Sequence, residues 1–250
     1  MNNTVIITGA SAGIGKALAY EFARHNSDLL LAARSEDKLK KLCTELSKSY
    51  GITARFFTLD LLAEDAAEKL LGFVKDSGID ASYLINNAGL FEKSDIQKDE
   101  NIIWLNMLTL MKMNRLFIPY LRKNGGGTIV NIASTLAFAP TAGEAVYAAS
   151  KAFVLSFSQA LYEETKKSNV SVLTICPGVT DTDFFKSAGF ELGQFKAATP
   201  ESFAAFAYRS IVKKKALSIH RISNKLTALF CRLAPRKTVR KVFAATCKTE

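Results

Sequence analysis

"TVIITGASAGIG", residues 4–15, is a short β-branched run that breaks into a turn with glycines at 9, 13 and 15, and "KALAYEFARH" after it has helical spacing. Glycines let a backbone bend sharply and approach a ligand, while the free amides and positive end of the following helix favour a diphosphate. The spacing is GxxxGxG, not GxGxxG, yet strand, turn and helix follow in the order that a phosphate-binding loop requires. An ordinary tight turn between a strand and a helix would use such glycines too. The same alternation continues through "DLLLAA", "RFFTL", "SYLIN", "TIVNIA" and "VSVLTIC", each followed by a segment of helical length, and "ALSIH" at 216–220 offers a seventh strand. Continuous apolar strands joined by helices bury both faces. They predict an α/β chain: a three-layer, doubly wound parallel sheet of about seven strands with helices on both sides.

At 250 residues the chain is long enough for one large α/β domain or two small ones, and neither an internal repeat nor a linker divides residues 1–220. No apolar run approaches the roughly 20 residues of a spanning helix, and no signal peptide is expected. Cys43, Cys176, Cys231 and Cys247 form no CxxC pair and no ligand spacing with His25 or His220, so no metal site, reduced thiols and a cytoplasmic location are expected. The terminal "CKTE" lacks the aliphatic residues of a prenylation signal.

The net charge of +10 is concentrated at one end, where Arg209–Glu250 carries 12 Lys or Arg against one acid. Leu226, Leu229, Phe230 and Leu233, then Val239, Val242 and Phe243 beyond Pro235, predict two short basic amphipathic helices over 221–250. Such an extension suits peripheral contact with an anionic membrane, subunit packing or a solvated basic face. Nucleic acid is not expected, because no recognition helix or aromatic platform accompanies the charge.

Arg34 ends the second strand, where a dinucleotide-binding fold using NAD often carries an acid. Its planar fork suits a 2′-phosphate, so NADP(H) is expected over NAD(H), with a solvent-exposed arginine as the plainer alternative. In "YAASK", residues 147–151, Tyr147 and Lys151 stand four apart and share a helix face. A free phenol titrates near ~10, and a nearby ammonium favours its phenolate, making Tyr147 a usable general acid or base. Ser134, thirteen residues earlier, offers a donor and an acceptor for a substrate oxygen.

Taken together, these motifs resemble the single-domain form of the short-chain dehydrogenase/reductase family from about Thr4 to Thr182. "TGASAGIG", with Gly9, Ser11, Gly13, Ile14 and Gly15, is similar to the family's cofactor loop, and Asp60 with Leu61 to its adenine-contacting pair. "NNAG", including Asn87, Ala88 and Gly89, resembles the motif after the fourth strand, and Asn106 resembles the helix asparagine thirteen residues before a proline. "NIAS" ends at Ser134, "YAASK" resembles YxxxK, and "PGVTDT", with Pro177, Gly178 and Thr182, resembles the loop that touches the nicotinamide end. "LLLAARSEDKL", "AASKAFVLSFSQAL" and the basic tail look like the ketoacyl and hydroxysteroid reductase-like branch.

The resemblance implies a Rossmann-like fold and a hydride transfer between nicotinamide and a carbonyl or secondary alcohol. Asn106, Ser134, Tyr147 and Lys151 would form the catalytic set, Lys151 also holding the nicotinamide ribose and Asn106 anchoring a water that links Lys151 to solvent. It also implies a homodimer or homotetramer through the helices of Asn106 and Tyr147, and a mobile lid near 183–200. Phe184, Phe185, Phe190 and Phe195 in that lid suit a lipophilic substrate, or simply pack the lid onto the domain. A non-catalytic nucleotide-sensing or membrane-associated protein on the same fold is the competing reading; the four-residue set argues against it.

Overall fold

The structure, a computed structural model, describes residues 4–92, 96–186 and 196–246. Seven strands form its centre: β1 (Thr4–Thr8), β2 (Asp28–Ala33), β3 (Ala54–Thr58), β4 (Ala81–Asn86), β5 (Gly127–Ile132), β6 (Val170–Cys176) and β7 (Leu217–Ile219). All pairings are parallel, in the order β3-β2-β1-β4-β5-β6-β7. The chain therefore runs outward from β1 to β3, then crosses back to β4 on the other side of β1. Where the order reverses, the connections after β1 and β4 part and leave a crevice at the strands' carboxyl ends.

Helices cover both faces. α1 (Gly13–Arg24), α2 (Glu36–Tyr50) and, later in the chain, Pro200–Val212 lie over Val5, Ile7, Leu29 and Leu31. α3 (Ala66–Asp76), α5 (Leu110–Lys123, following α4, Ile96–Ile103) and α6 (Ala145–Thr165) lie over Ile6, Leu30, Leu84 and Ile129. Neighbouring residues of β1 point to opposite cores, which is why its sequence is apolar without alternation. Phe117 and Phe203 are completely buried, one on each side. Burial of such a side chain contributes about 1.5–3 kcal/mol.

Between α4 and α5 the helix widens into a π-helical segment, Trp104–Thr109, which carries Asn106. α7 (Asp183–Lys186) follows the loop after β6, α8 is the helix Pro200–Val212, and α9 (Ile222–Leu233) and α10 (Arg236–Thr246) are two short basic helices after β7. Most of the expected lid, with Phe190 and Phe195, lies outside the described residues. Among the described residues no helix is long and apolar enough to cross a membrane.

One polar cluster interrupts the apolar interior. Asn131 of β5 accepts from Asn86 Nδ2 at 2.8 Å and Asn114 Nδ2 at 3.1 Å, and donates to Asn114 Oδ1 at 3.0 Å and Ser158 Oγ at 2.9 Å. Ser158 passes its own proton to Val154 O. All four side chains are buried, and each has a partner, the condition for tolerating amides at such depth.

Candidate active site

A cleft of about 500 Å³ opens at the switch point. Its first wall is the loop after β1, where Gly9 and Gly13 have φ of +66° and +51°, a region that side chains strain to enter. α1 begins here with Ala12 at its N-cap and no side-chain hydrogen bond, so its first amides face the cleft without competition. Asn87 braces the loop from β4's end: its Nδ2 donates to Thr8 O at 3.0 Å and Gly9 O at 3.3 Å, while Thr8 Oγ1 accepts from the amides of Asn87 and Ala88. Gly15 has no room for a side chain, since a Cβ there would meet Gly9 O and stand 2.6 Å from Asn87 Nδ2. The bare glycines, uncapped helix and open volume fit a dinucleotide diphosphate.

Arg34, Ser35 and Lys38 stand at one end of the cleft, with Asp60 and Leu61 beside them. Asp60 accepts the Leu62 amide at 3.0 Å, which fixes the turn leaving β3. At the other end are Pro177, Gly178 and Thr182, and a Cβ on Gly13 would stand 3.1 Å from Thr182 Cγ2. Ser11, Ile14, Ala88 and Gly89 line the middle.

Ser134, Tyr147 and Lys151 all reach the same cleft. Ser134 caps the 3-10 turn Thr135–Phe138, its Oγ accepting the Leu136 amide at 3.1 Å, which leaves its hydroxyl proton to donate elsewhere. Burial pushes the Tyr147 phenol well above its usual range; the neighbouring Ser134 hydroxyl acts the other way, and the Glu144 carboxylate adds to the rise. Glu144 is itself pushed up to about 7 by burial. Lys151 Nζ donates to Ile132 O at 3.1 Å and sits 5.7 Å from the Tyr147 ring centroid. Burial pushes that ammonium down to about 8. So burial opposes the expected acidification of the phenol and keeps Tyr147 protonated, the form a general acid needs.

Asn106 lies one layer behind. Its Oδ1 accepts Leu90 N at 2.9 Å and its Nδ2 donates to Leu90 O at 3.0 Å and Ser150 Oγ at 3.1 Å. Ser150 in turn donates to Tyr147 O at 2.7 Å. A Cβ on Gly89 would stand 3.2 Å from Asn106 Oδ1 and 3.4 Å from Lys151 Nζ, so a bare backbone separates the two. Gly15 and Asn106 thus support the cleft from behind, whereas the other anticipated residues line it.

Several contributors escape a reading of motifs. Lys38 joins Arg34 at the cleft's end; the signal was its place four residues on, at the start of a helix. Asn114, Asn131 and Ser158 hold β5 beneath Ser134, and the only hint was an asparagine inside the β-branched run "TIVNI". Asn224 of α9 packs on Gly178, where a Cβ would stand 3.0 Å from its Cγ. Among the described residues no cluster of three or more His, Cys, Asp or Glu could hold a metal.

Residues 3–191 match the short chain dehydrogenase family. The very-long-chain 3-oxoacyl-CoA reductase of Bos taurus is 31% identical over 215 residues, 82% of this chain and 67% of that one. The 17-beta-hydroxysteroid dehydrogenase type 3 of Homo sapiens is 30% identical over 193 residues, 74% and 62% of the two chains. Among solved structures, a short-chain dehydrogenase from Sphingobium yanoikuyae in complex with NADPH matches with a TM-score of 0.83 and 30% identity over 91% of each chain. The parallel sheet, its glycine-walled crevice and these likenesses converge, and the chain belongs to the short-chain dehydrogenase/reductase family of nicotinamide-dependent oxidoreductases.

Proposed function

We propose that this protein is an NADP(H)-dependent carbonyl reductase, reversible as an alcohol dehydrogenase, acting on a lipophilic substrate. The observation that carries the reading is the convergence of Ser134, Tyr147 and the Lys151 ammonium in the cleft that the glycine loop walls. Bound there, the cofactor supplies or takes up the hydride. Tyr147, kept protonated by burial, gives its phenolic proton to the substrate oxygen as negative charge develops on it; in the oxidising direction it takes that proton back. Ser134 donates to the same oxygen and holds it in place. Lys151 would hold the nicotinamide ribose and, with Asn106 behind Gly89, resupply the proton through a water. Residues 9–15 would receive the diphosphate, with Asn87 holding the loop in shape, and Asp60 and Leu61 would flank the adenine.

Arg34 and Lys38 support NADP(H), because two cations at one end of the cleft suit a 2′-phosphate better than bare hydroxyls. The relative from Sphingobium yanoikuyae binds NADPH. Lipophilic specificity is supported by the collar around Tyr147: Phe91 meets its ring edge-on at a centroid distance of 4.9 Å, Phe184 stands at 6.2 Å, and Leu136 packs beside them. The two named relatives are an acyl-CoA reductase and a steroid dehydrogenase. Assembly as a homodimer or homotetramer through the helices of Asn106 and Tyr147, and a cytoplasmic or membrane-peripheral location, complete the reading.

The test is NADPH and NADH oxidation, followed by absorbance, against hydrophobic ketones, aldehydes and 3-oxoacyl thioesters. Turnover that disappears in Tyr147→Phe supports the reading; turnover that survives the substitution overturns the assignment of the acid.

A further inference from the structure

We propose that α9 and α10 dock the protein onto an anionic lipid surface. Ile222, Leu226, Leu229 and Leu233 recur at spacings of four, three and four along α9, and they are 74%, 62%, 52% and 76% exposed. Such spacing puts them in one stripe. The opposite side of α9 is already occupied: Cys231 packs with Phe138, Ala139 and Val239, and Asn224 lies on Gly178. Folding therefore does not use the stripe.

Charge selects the occupant. Residues 221–246 hold seven Lys or Arg and no acid. Lys225 and Arg232 border one side of the stripe on α9, and Arg236, Lys237, Arg240 and Lys241 follow on α10, all exposed. A second copy docking by the same face would bring two such cationic surfaces together. An interface of acyl chains beneath acidic headgroups accepts the leucines and the cations at once, without a shaped pocket.

The docking helix is also tied to the cleft. Arg221, just before α9, donates to Lys196 O at 2.5 Å and Ala197 O at 3.1 Å, and α9 abuts the 3-10 turn that Ser134 caps. A lipid-borne substrate would then be delivered beside its site. That corollary rests on the reductase reading, whereas the docking does not.

The full chain is to be co-sedimented with phosphatidylcholine vesicles, with and without phosphatidylglycerol. The expected result is binding to the anionic vesicles only, weakened by salt. Leu226→Glu with Leu233→Glu should reduce binding at least about tenfold, and Arg240→Gln with Lys241→Gln about fivefold per cation. Thermal melts and reduction of a water-soluble carbonyl should be unchanged in both variants. Protein left in the supernatant with anionic vesicles, or binding that ignores the leucine substitutions, overturns the proposal. So does a smaller oligomer by light scattering in the leucine variant without any vesicle binding, which would assign the stripe to a second copy. Vesicle binding without carbonyl turnover would refute the reductase reading alone.

Discussion

Gly15→Ala adds one methyl group at the third position of α1, and in most helices that change stabilises by about 1 kcal/mol. Here the methyl would press on Gly9 O and stand 2.6 Å from Asn87 Nδ2, and neither neighbour is a flexible tip. Asn87 is fixed by its bonds to Thr8 O and Gly9 O, so the added atom must move the loop or break those bonds. Overpacking costs about 1–3 kcal/mol and each weakened hydrogen bond about 1 kcal/mol. Set against the helical gain, overpacking and the two weakened bonds leave a net loss of about 2–4 kcal/mol, a fall in melting temperature of about 4–16 °C for a chain of this size. Gly72 provides the control, since it lies inside α3 and a Cβ there meets nothing within 4 Å. Gly72→Ala should gain up to about 1 kcal/mol and melt about 2–4 °C higher. Circular dichroism melts of the three proteins, with NADPH titration by fluorescence, measure both effects. Gly15→Ala melting at or above the parent would refute the reasoning, as would the two glycine variants shifting the same way.

Tyr147→Phe should lower the reduction rate by about 10²–10⁴-fold while NADPH titrations show binding retained. Arg34→Asp should weaken NADPH about 10–100-fold and leave NADH nearly unchanged; equal losses would remove Arg34 from phosphate binding. Lys151 titrates at about 8 when folded against 10.5 ordinarily, so between those values the unfolded chain holds a proton that the folded one has released. Stability from this group therefore rises with pH across that window, and the burial penalty is complete below it. Lys151→Met should be more stable than the parent at pH 7 by about 3 kcal/mol, an advantage that fades between pH 8 and 10.5, although turnover is lost. Urea titrations at pH 7 and pH 10.5 test it.

How much was legible depended on the range of the interaction. β1, β2, β4, β5 and β6 are largely buried on both faces, so each reads as a predominantly apolar, β-branched or Leu-rich run without strict alternation. β3 begins one residue earlier than its run suggests, because at the sheet's edge Ala54 is placed by pairing with Leu29 rather than by its own hydrophobicity. The glycine loop and the Tyr147–Lys151 pair were readable because a turn and a helix face are local. Lys38 was not, since its place at the cleft depends on where α2 starts. The π-helical turn that carries Asn106 left no mark in the sequence, and the bonds that hold its side chain reach Leu90 and Ser150, 16 and 44 residues away. The opposing effect of burial on Tyr147 likewise appears only once the fold encloses the phenol.

The buried amides around Asn131 act as a key for strand alignment. In the parallel pairing of β4 with β5, Asn86 stands level with Asn131, which lets one amide meet the other at 2.8 Å. Sliding β5 by a single residue would turn Asn131 to the opposite, aliphatic core and strand three partners without their bonds. Aliphatic side chains would fill either alignment nearly as well, so they discriminate poorly between the two. Three residues beyond Asn131 comes Ser134, and one residue beyond it comes the Ile132 carbonyl that receives Lys151. A polar cluster that touches nothing in the cleft thereby decides which side chains of β5 arrive there.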